Sequence, residues 1–333
     1  MKKIILPLII VLLLTGCSSK TYTNGYLNVL NWSSYIPDDV IMDFEKEYNI
    51  KVNYGTYSSN EELLAKLSSS KEGTYDLIFP SDYMVDLMID REMIEPLDKN
   101  KLTNINNINP LFLNQEYDYG NKYSLPFLMA TVVIAVDTSK ISDNITSYND
   151  LINSNYSNNI VLLDDQRIVI GMGLMANGYD SNDTSMEHLN QAKDWLLTLK
   201  HNVKAFDSDS PKTFLITDEV DIGVMWNAEA IIASENNSNI KIIYPIDGFS
   251  ISMDNYAIAK NSPNKDNAYL FIDYLLRDDI SKRITDEYPY ISTNKNNSNL
   301  SNYQLNNILT KGSYVQNIGS NIKNYDRIWA QIK

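Results

Sequence analysis

The sequence predicts an α/β protein of two lobes built on parallel sheets. Three observations carry that expectation. Short apolar runs alternate with amphipathic helical stretches from residue 26 onward, the order that a helix-covered parallel sheet requires. The alternation occurs twice, first to about residue 90 and again over 159–276, with no low-complexity linker between the two units. Beyond the first 16 residues roughly 315 remain, enough for two domains.

In chain order, "YLNVLNW" (26–32) reads as a strand. Pro37-Asp38-Asp39 then opens a helix with acids in its first turn and Val40, Ile41, Phe44 and Tyr48 on one face. "IKVNYGTY" (50–57) alternates Ile50, Val52 and Tyr54 and is a second strand. In "SSNEELLAKL" Ser58 or Ser59 is the N-cap, with an acid three residues on. "YDLIFPS" (75–81) is a third strand, and Ser81 is placed to cap the helix carrying Met84, Leu87 and Met88.

The second unit repeats the pattern. "NIVLLD" (159–164) runs into the helical "DQRIVIGMGLMANG", whose glycines suggest close helix packing rather than a phosphate cradle. Asp165 is its expected N-cap. "HLNQAKDWLLTLK" (188–200) is amphipathic, and "EVDIGVMW" (219–226) leads into "NAEAIIASE". The strands "IKIIYP" (240–245) and "DNYAIAK" (254–260) precede the helix "KDNAYLFIDYLL" (265–276).

Residues 1–16 read as a signal peptide, with Lys2 and Lys3 before the apolar run Ile4 to Leu14. Leu14-Thr15-Gly16-Cys17 resembles a bacterial lipobox, which implies cleavage before Cys17 and a diacylglycerol on its sulfur. Residues 17–25 would then be anchor and tether, and the chain is expected outside the cytoplasm, held to the bacterial membrane. Cys17 is the only cysteine, so no internal disulfide is available. The formal net charge of −14 argues against nucleic acid as a partner and permits a cationic ligand.

In open parallel α/β sheets, ligands bind beyond the carboxyl ends of the strands. The residues at those ends are Trp32-Ser33-Ser34-Tyr35, Ser81-Asp82-Tyr83, Asp164-Asp165 and Trp226-Asn227-Ala228-Glu229. Two of the four tryptophans fall there, with two tyrosines and four acids. That clustering puts Trp32 and Tyr35 on a cleft rather than in the core. Aromatic faces attract ammonium groups, and ionised carboxylates form short charge-assisted bonds with them. The lining is that of a box for an organic cation with methylene segments. No Walker, G-x-S-x-G or H-E-x-x-H pattern is present, the only histidines, His188 and His201, lie on or at the end of the helix at 188–200, and the one cysteine is taken by the anchor, so no cofactor or metal is expected.

A family likeness runs along nearly the whole mature chain. "NWSSYIP", "YSSNEELLAKL", "YDLIFPSDYMVDLM", "LDKNKLTNINNINP", "YSLPF", "LLDDQR", "VMWNAEA", "MDNYAIA" and "VQNIG" occur in the order that resembles the spermidine/putrescine-binding lipoproteins of ABC import systems. The resemblance implies a two-lobed periplasmic-binding-protein fold of type II, its ligand cleft between lobes joined by crossing hinge strands. Lobe 1 would take 26–133 and 253–300, and lobe 2 would take 134–252 and 301–333.

It also implies a contact set. Trp32, Ser33 and Tyr35 match a first aromatic contact loop, and Ser81 and Tyr83 match a second. Asp165 matches an amine-binding carboxylate, Trp226 an aromatic wall, and Asp254 the acid that grips an inner ammonium. Tyr290 matches a site tyrosine, with Tyr288 as the alternative, and Gln316 matches a glutamine at one end of the ligand. Two positions depart from the pattern: Ile168 stands where an acid is frequent, and Ser252 where Trp or Phe is. Glu229, three residues beyond Trp226, is a candidate to supply the missing charge.

The expected function is therefore that of a monomeric receptor, not an enzyme, which hands putrescine or spermidine to membrane permease subunits. The alternatives are a receptor for another organic cation such as thiamine, a secreted hydrolase using Asp164, Asp165 or Asp254, and an adhesive surface lipoprotein.

Overall fold

The structure is a computed structural model that describes residues 22–298 and 300–333. The expected signal peptide, Cys17 and the start of the tether lie outside the described residues. From the N-terminal side the elements are β1 (Tyr26–Trp32), α1 (Asp38–Tyr48), β2 (Lys51–Tyr57), α2 (Asn60–Ser69), β3 (Leu77–Ile78), α3 (Asp82–Asp90) and β4 (Ser124–Asp137). Next come β5 (Ile160–Leu162), α4 (Gln166–Ala176), α5 (Met186–Leu199), β6 (Val203–Phe206), α6 (Lys212–Ile216), β7 (Ile222–Trp226), α7 (Asn227–Asn236) and β8 (Ile240–Ile243). The chain ends with β9 (Phe249–Ile258), α8 (Lys265–Leu275), α9 (Asp278–Glu287), β10 (Ile291–Ser292), α10 (Asn302–Lys311), β11 (Gly312–Tyr314) and α11 (Ile322–Ile332).

Local chemistry sets the helix limits in the first unit. α1 carries Asp38 and Asp39 in its first turn, buries Val40, Ile41 and Phe44, and stops where Asn49 turns left-handed at φ 55°. Ser59 caps α2 by accepting from the Glu62 N–H at 3.1 Å, and the Glu62 carboxylate accepts in return from Ser58. Ser81 holds the N-cap position of α3 by backbone geometry but makes no side-chain cap, because its hydroxyl is committed to Asp254.

The sheet is mixed rather than wholly parallel as the element order predicted. β1 pairs in parallel with β2 and β3, and β5 with β6 and β7. β9, however, runs antiparallel to β3 and β4, and β4 runs antiparallel to β7 and β8. A parallel neighbour needs a crossover connection on its own sheet. β4 and β9 instead enter from the opposite lobe and so run against the strands they meet.

β4 is the strand that joins the lobes. All 14 of its residues are buried. Ser124 to Thr131 pair with β9, and from Val132 onward the partner is β7. The apolar cores change at the same point. Ala130 packs with Leu27, Phe44, Phe127 and Phe271, whereas Val132 packs with Ile134, Leu162, Ile170 and Tyr325. α11 returns to the second core through Tyr325, Ile328 and Ile332, while Leu305 and Ile308 of α10 pack with Phe112, Met129 and Ile251. Gly173 lets α4 lie close against α5, since a Cβ there would stand 3.0 Å from Leu196 and 3.1 Å from the Ala192 carbonyl. Helix packing is thus its role, as the sequence suggested.

Candidate functional site

The carboxyl ends of β1, β3, β5, β6 and β7 open on one cleft, and the turns that follow them line it. The cavity, counted out to its open mouth, holds about 810 Å³. Ten of the eleven expected site residues line it: Trp32, Ser33, Tyr35, Ser81, Tyr83, Asp165, Trp226, Glu229, Asp254 and Tyr290. The structure does not bring Gln316 to this cavity. Gln316 is exposed, its N–H donates to Asn182 Oδ1 at 2.9 Å, and it borders an adjoining cavity with Asp86, Glu116 and Asp180. The preceding residue, Val315, is the one whose apolar side chain reaches the site.

Asp254 lies on β9 at the floor, 2% exposed. Its Oδ1 accepts from the Ser81 hydroxyl at 2.6 Å and its Oδ2 from the Tyr35 hydroxyl at 2.7 Å. Burial pushes its carboxyl up to about 6, while the Ser81, Tyr35 and Trp32 donors pull in the opposite direction. A carboxylate removed from water without a cationic partner is costly to keep ionised. A bound ammonium would relieve that cost.

Aromatic rings wall this carboxylate. Tyr35 faces Tyr290 at 4.6 Å between centroids, and Trp32 lies 6.3 Å from Tyr35 and 4.7 Å from Tyr57. The Trp32 indole donates to the Phe79 carbonyl at 3.0 Å, which fixes the plane of the ring. Tyr35 is only 7% exposed and belongs to the first-lobe core. Trp32 and Tyr35 therefore do not face the cleft instead of the core, as the strand-end argument had it; each serves both. Tyr290 lines the cavity and Tyr288 does not. Tyr83, in the first turn of α3, lines the cavity with its hydroxyl donating to Glu61 Oε1 at 3.0 Å.

Asp165 is the N-cap of α4, as expected, accepting from the N–H groups of Arg167 at 2.8 Å and Ile168 at 3.1 Å through one oxygen, Oδ1. Burial first, and then the nearby charge of Glu61, push its carboxyl up to about 6. Trp226 ends β7 and packs against both cores, so it closes the cavity between the lobes. Glu229 lines the wall, but both its oxygens are held by Lys212 Nζ, at 2.9 and 2.8 Å. Two strand-end acids turn away: Asp82 accepts from the Tyr83 and Met253 N–H groups, and Asp164 pairs with Lys333 at 2.7 Å.

Sequence reasoning missed several lining residues. Ser208 and Asp209 follow β6, a strand too short and too exposed to show as a period-2 run, although "AFDSDSP" carries the same strand-end signature as the other turns. Asn60 enters from the first turn of α2. Arg167 is the largest omission. It is 5% exposed, lies over Tyr83 and Tyr325 at 5.8 and 5.1 Å, and donates through Nη2 to Asn182 Oδ1 at 3.0 Å. Among the described residues no group of three or more His, Cys, Asp or Glu is placed to hold a metal ion.

Comparison with known proteins fits this geometry. A family described as bacterial extracellular solute-binding protein matches residues 39–310, and a prokaryotic membrane lipoprotein lipid attachment site matches residues 1–18, which include Cys17. The chain is 38% identical over 272 residues to the spermidine/putrescine-binding periplasmic protein of Escherichia coli K12, covering 81% of this chain and 78% of that one. It is 35% identical over 320 residues to the protein of the same description from Salmonella typhimurium, covering 93% and 92%. Among solved structures it resembles the spermidine/putrescine ABC transporter substrate-binding protein PotD of Streptococcus pneumoniae, with a TM-score of 0.78, 29% identity and coverage of 92% and 98%. The TpPotD lipoprotein of Treponema pallidum superposes with a TM-score of 0.83 at 26% identity, covering 92% and 99%.

Proposed function

The chain belongs to the bacterial extracellular solute-binding protein family, and from that premise we propose that it captures a polyamine and presents it to the permease of an ABC importer. The lipid attachment site makes it an extracytoplasmic, membrane-anchored protein. Members of such a family bind substrate and do not turn it over. One observation carries the choice of ligand: a buried carboxylate, Asp254, held by two hydroxyls between the rings of Trp32, Tyr35 and Tyr290. That arrangement suits a primary ammonium on a methylene chain, charge to charge at the floor and apolar stem against rings.

In this reading Trp32, Ser33, Tyr35, Ser81, Tyr83, Asp254 and Tyr290 bind from lobe 1, and Asp165 and Trp226 from lobe 2, where Glu229 lines the wall but is held by Lys212. The lobes meet near the partner change in β4, at Thr131 and Val132. Ligand that touches both lobes stabilises the closed form by its differential affinity for it. The protein acts as a monomer that docks on the permease subunits in this closed form.

Calorimetric titration with putrescine, spermidine, spermine and thiamine tests the reading. One-to-one binding of a polyamine, lost in Asp254→Ala, is the expected result. Heat with thiamine alone would reassign the ligand to another organic cation.

A further inference from the structure

Glu229 faces the cavity with its side chain 9% exposed, yet the Lys212 ammonium grips both its oxygens. Lys212 opens α6 and is not itself a lining residue, so it reaches Glu229 from behind the wall. Chemically it is a primary ammonium on a methylene stem, the same group that ends a polyamine. The other three lining carboxylates, Asp165, Asp209 and Asp254, have no cationic partner within ion-pair distance among the described residues. Arg167 adds one positive charge to the lining, and Ile168 and Ser252 add none. Of these four lining carboxylates, Glu229 alone among the described residues is already neutralised by an ammonium of the chain itself.

We propose that Lys212 takes the place of a third ligand ammonium and thereby tunes the site to a dication, a diamine in preference to a triamine. The inference rests on the polyamine reading above and narrows it. A triamine's third ammonium would meet a carboxylate already neutralised, in a cavity that the Arg167 guanidinium also lines. A buried ammonium left without a partner is strongly disfavoured.

The test is a set of calorimetric titrations of the full chain in detergent with putrescine and with spermidine. Four proteins are compared: the unmodified chain, Lys212→Gln, Glu229→Gln and the double variant. The ratio of the two Kd values is the readout, and melting temperature reports folding. The unmodified chain is expected to favour putrescine by about tenfold or more, the worth of one charge-assisted contact. Lys212→Gln frees Glu229 and should move the ratio about tenfold toward spermidine. The double variant restores the charge and should return the ratio, whereas Glu229→Gln alone should weaken both amines. Equal affinity of the unmodified chain for both amines would overturn the inference without need of any variant, as would an unchanged ratio in folded Lys212→Gln. No heat with either amine in any folded protein would overturn the polyamine reading itself, and the inference with it.

Discussion

Asp254 combines two demands that pull on its proton in opposite ways. Burial favours the neutral acid, and the hydroxyls of Ser81 and Tyr35 favour the carboxylate, with the balance at about 6. Asp165, without such hydroxyl donors, reaches about 6 by burial and by the charge of Glu61. Only the carboxylate attracts an ammonium, so polyamine affinity should fall below pH 6 by about tenfold per carboxylate per pH unit. Titration at pH 5 and pH 7 in buffers of different ionisation enthalpy checks this, since binding near pH 6 must also release protons. Equal affinity at both values would remove these carboxylates from the contact set. Tyr35→Phe keeps the ring but removes one donor, so the midpoint of the pH dependence should move upward. At this scale the strand-end rule found Trp32, Tyr35, Tyr83, Asp165 and Trp226 on the walls because aromatics and acids are conspicuous types in the sequence, whereas Asp254 at the floor and Tyr290 came only from the family resemblance. Arg167 escaped it, since one charged residue inside a helical run reads as solvent-facing until the fold stacks it on Tyr83 and Tyr325. Gln316 borders the adjoining cavity rather than this one, because nothing local fixes which way the chain after β11 turns.

Among the elements, α4 lets two roles of one residue be separated. Asp165 caps the helix and lines the cavity with the same carboxyl group. Serine is as good a cap, whereas loss of a cap costs about 1 kcal/mol. Asp165→Ser should therefore leave the melting temperature of the free protein within a few degrees while weakening polyamine binding by about tenfold or more. Asp165→Ala should lose both. A turn before β3 gives a purely structural contrast. Gly73 has φ +78°, and a Cβ there would stand 2.8 Å from the Asn261 carbonyl. Gly73→Ala should cost about 1–3 kcal/mol of stability by denaturant unfolding, with ligand affinity intact. The first unit was legible because its strands are capped by Asn, Ser and Pro signals at every end. β4 was not, because "SLPFLMATVVIAVD" is apolar at all but Ser124, Thr131 and Asp137, shows no alternation and contains Pro126. Burial on every side removes the alternation. The register shift between Pro126 and Leu128 accommodates a residue with no N–H to donate. The direction of β4 and β9 depends on which lobe the chain arrives from, and that is a tertiary fact.

For the whole molecule, the two site carboxylates and the surface ion pairs make opposite demands on pH. Folding raises Asp254 and Asp165 from 3.8 to about 6. A carboxyl raised by folding contributes stability that is fully present below its unfolded value and is lost as pH rises through its folded value. Between pH 4 and 6, therefore, the free protein loses stability at these two groups, by an amount on the order of 3 kcal/mol each. Asp82, driven upward by burial, acts in the same sense. The ion-paired acids act in the other. Glu62 is pulled down to about 2, chiefly by Lys66 and then by the Ser58 N–H, and Glu95 is lowered chiefly by Lys265. Stability from such groups is present above their unfolded values and is lost only as pH falls through their folded ones. The two sets thus act in adjoining windows, with a maximum for the ligand-free protein near pH 4–5. An ammonium in the site removes the cost of the ionised carboxylates and should move that maximum toward neutrality. Melting curves at pH 5 and pH 7, with and without saturating putrescine, measure this. The free protein should melt higher at pH 5, and putrescine should raise the melting temperature more at pH 7 than at pH 5. A free protein that melts higher at pH 7 would mean that Asp254 and Asp165 are already neutralised in the unliganded cleft, by a cation or by water that reaches the floor.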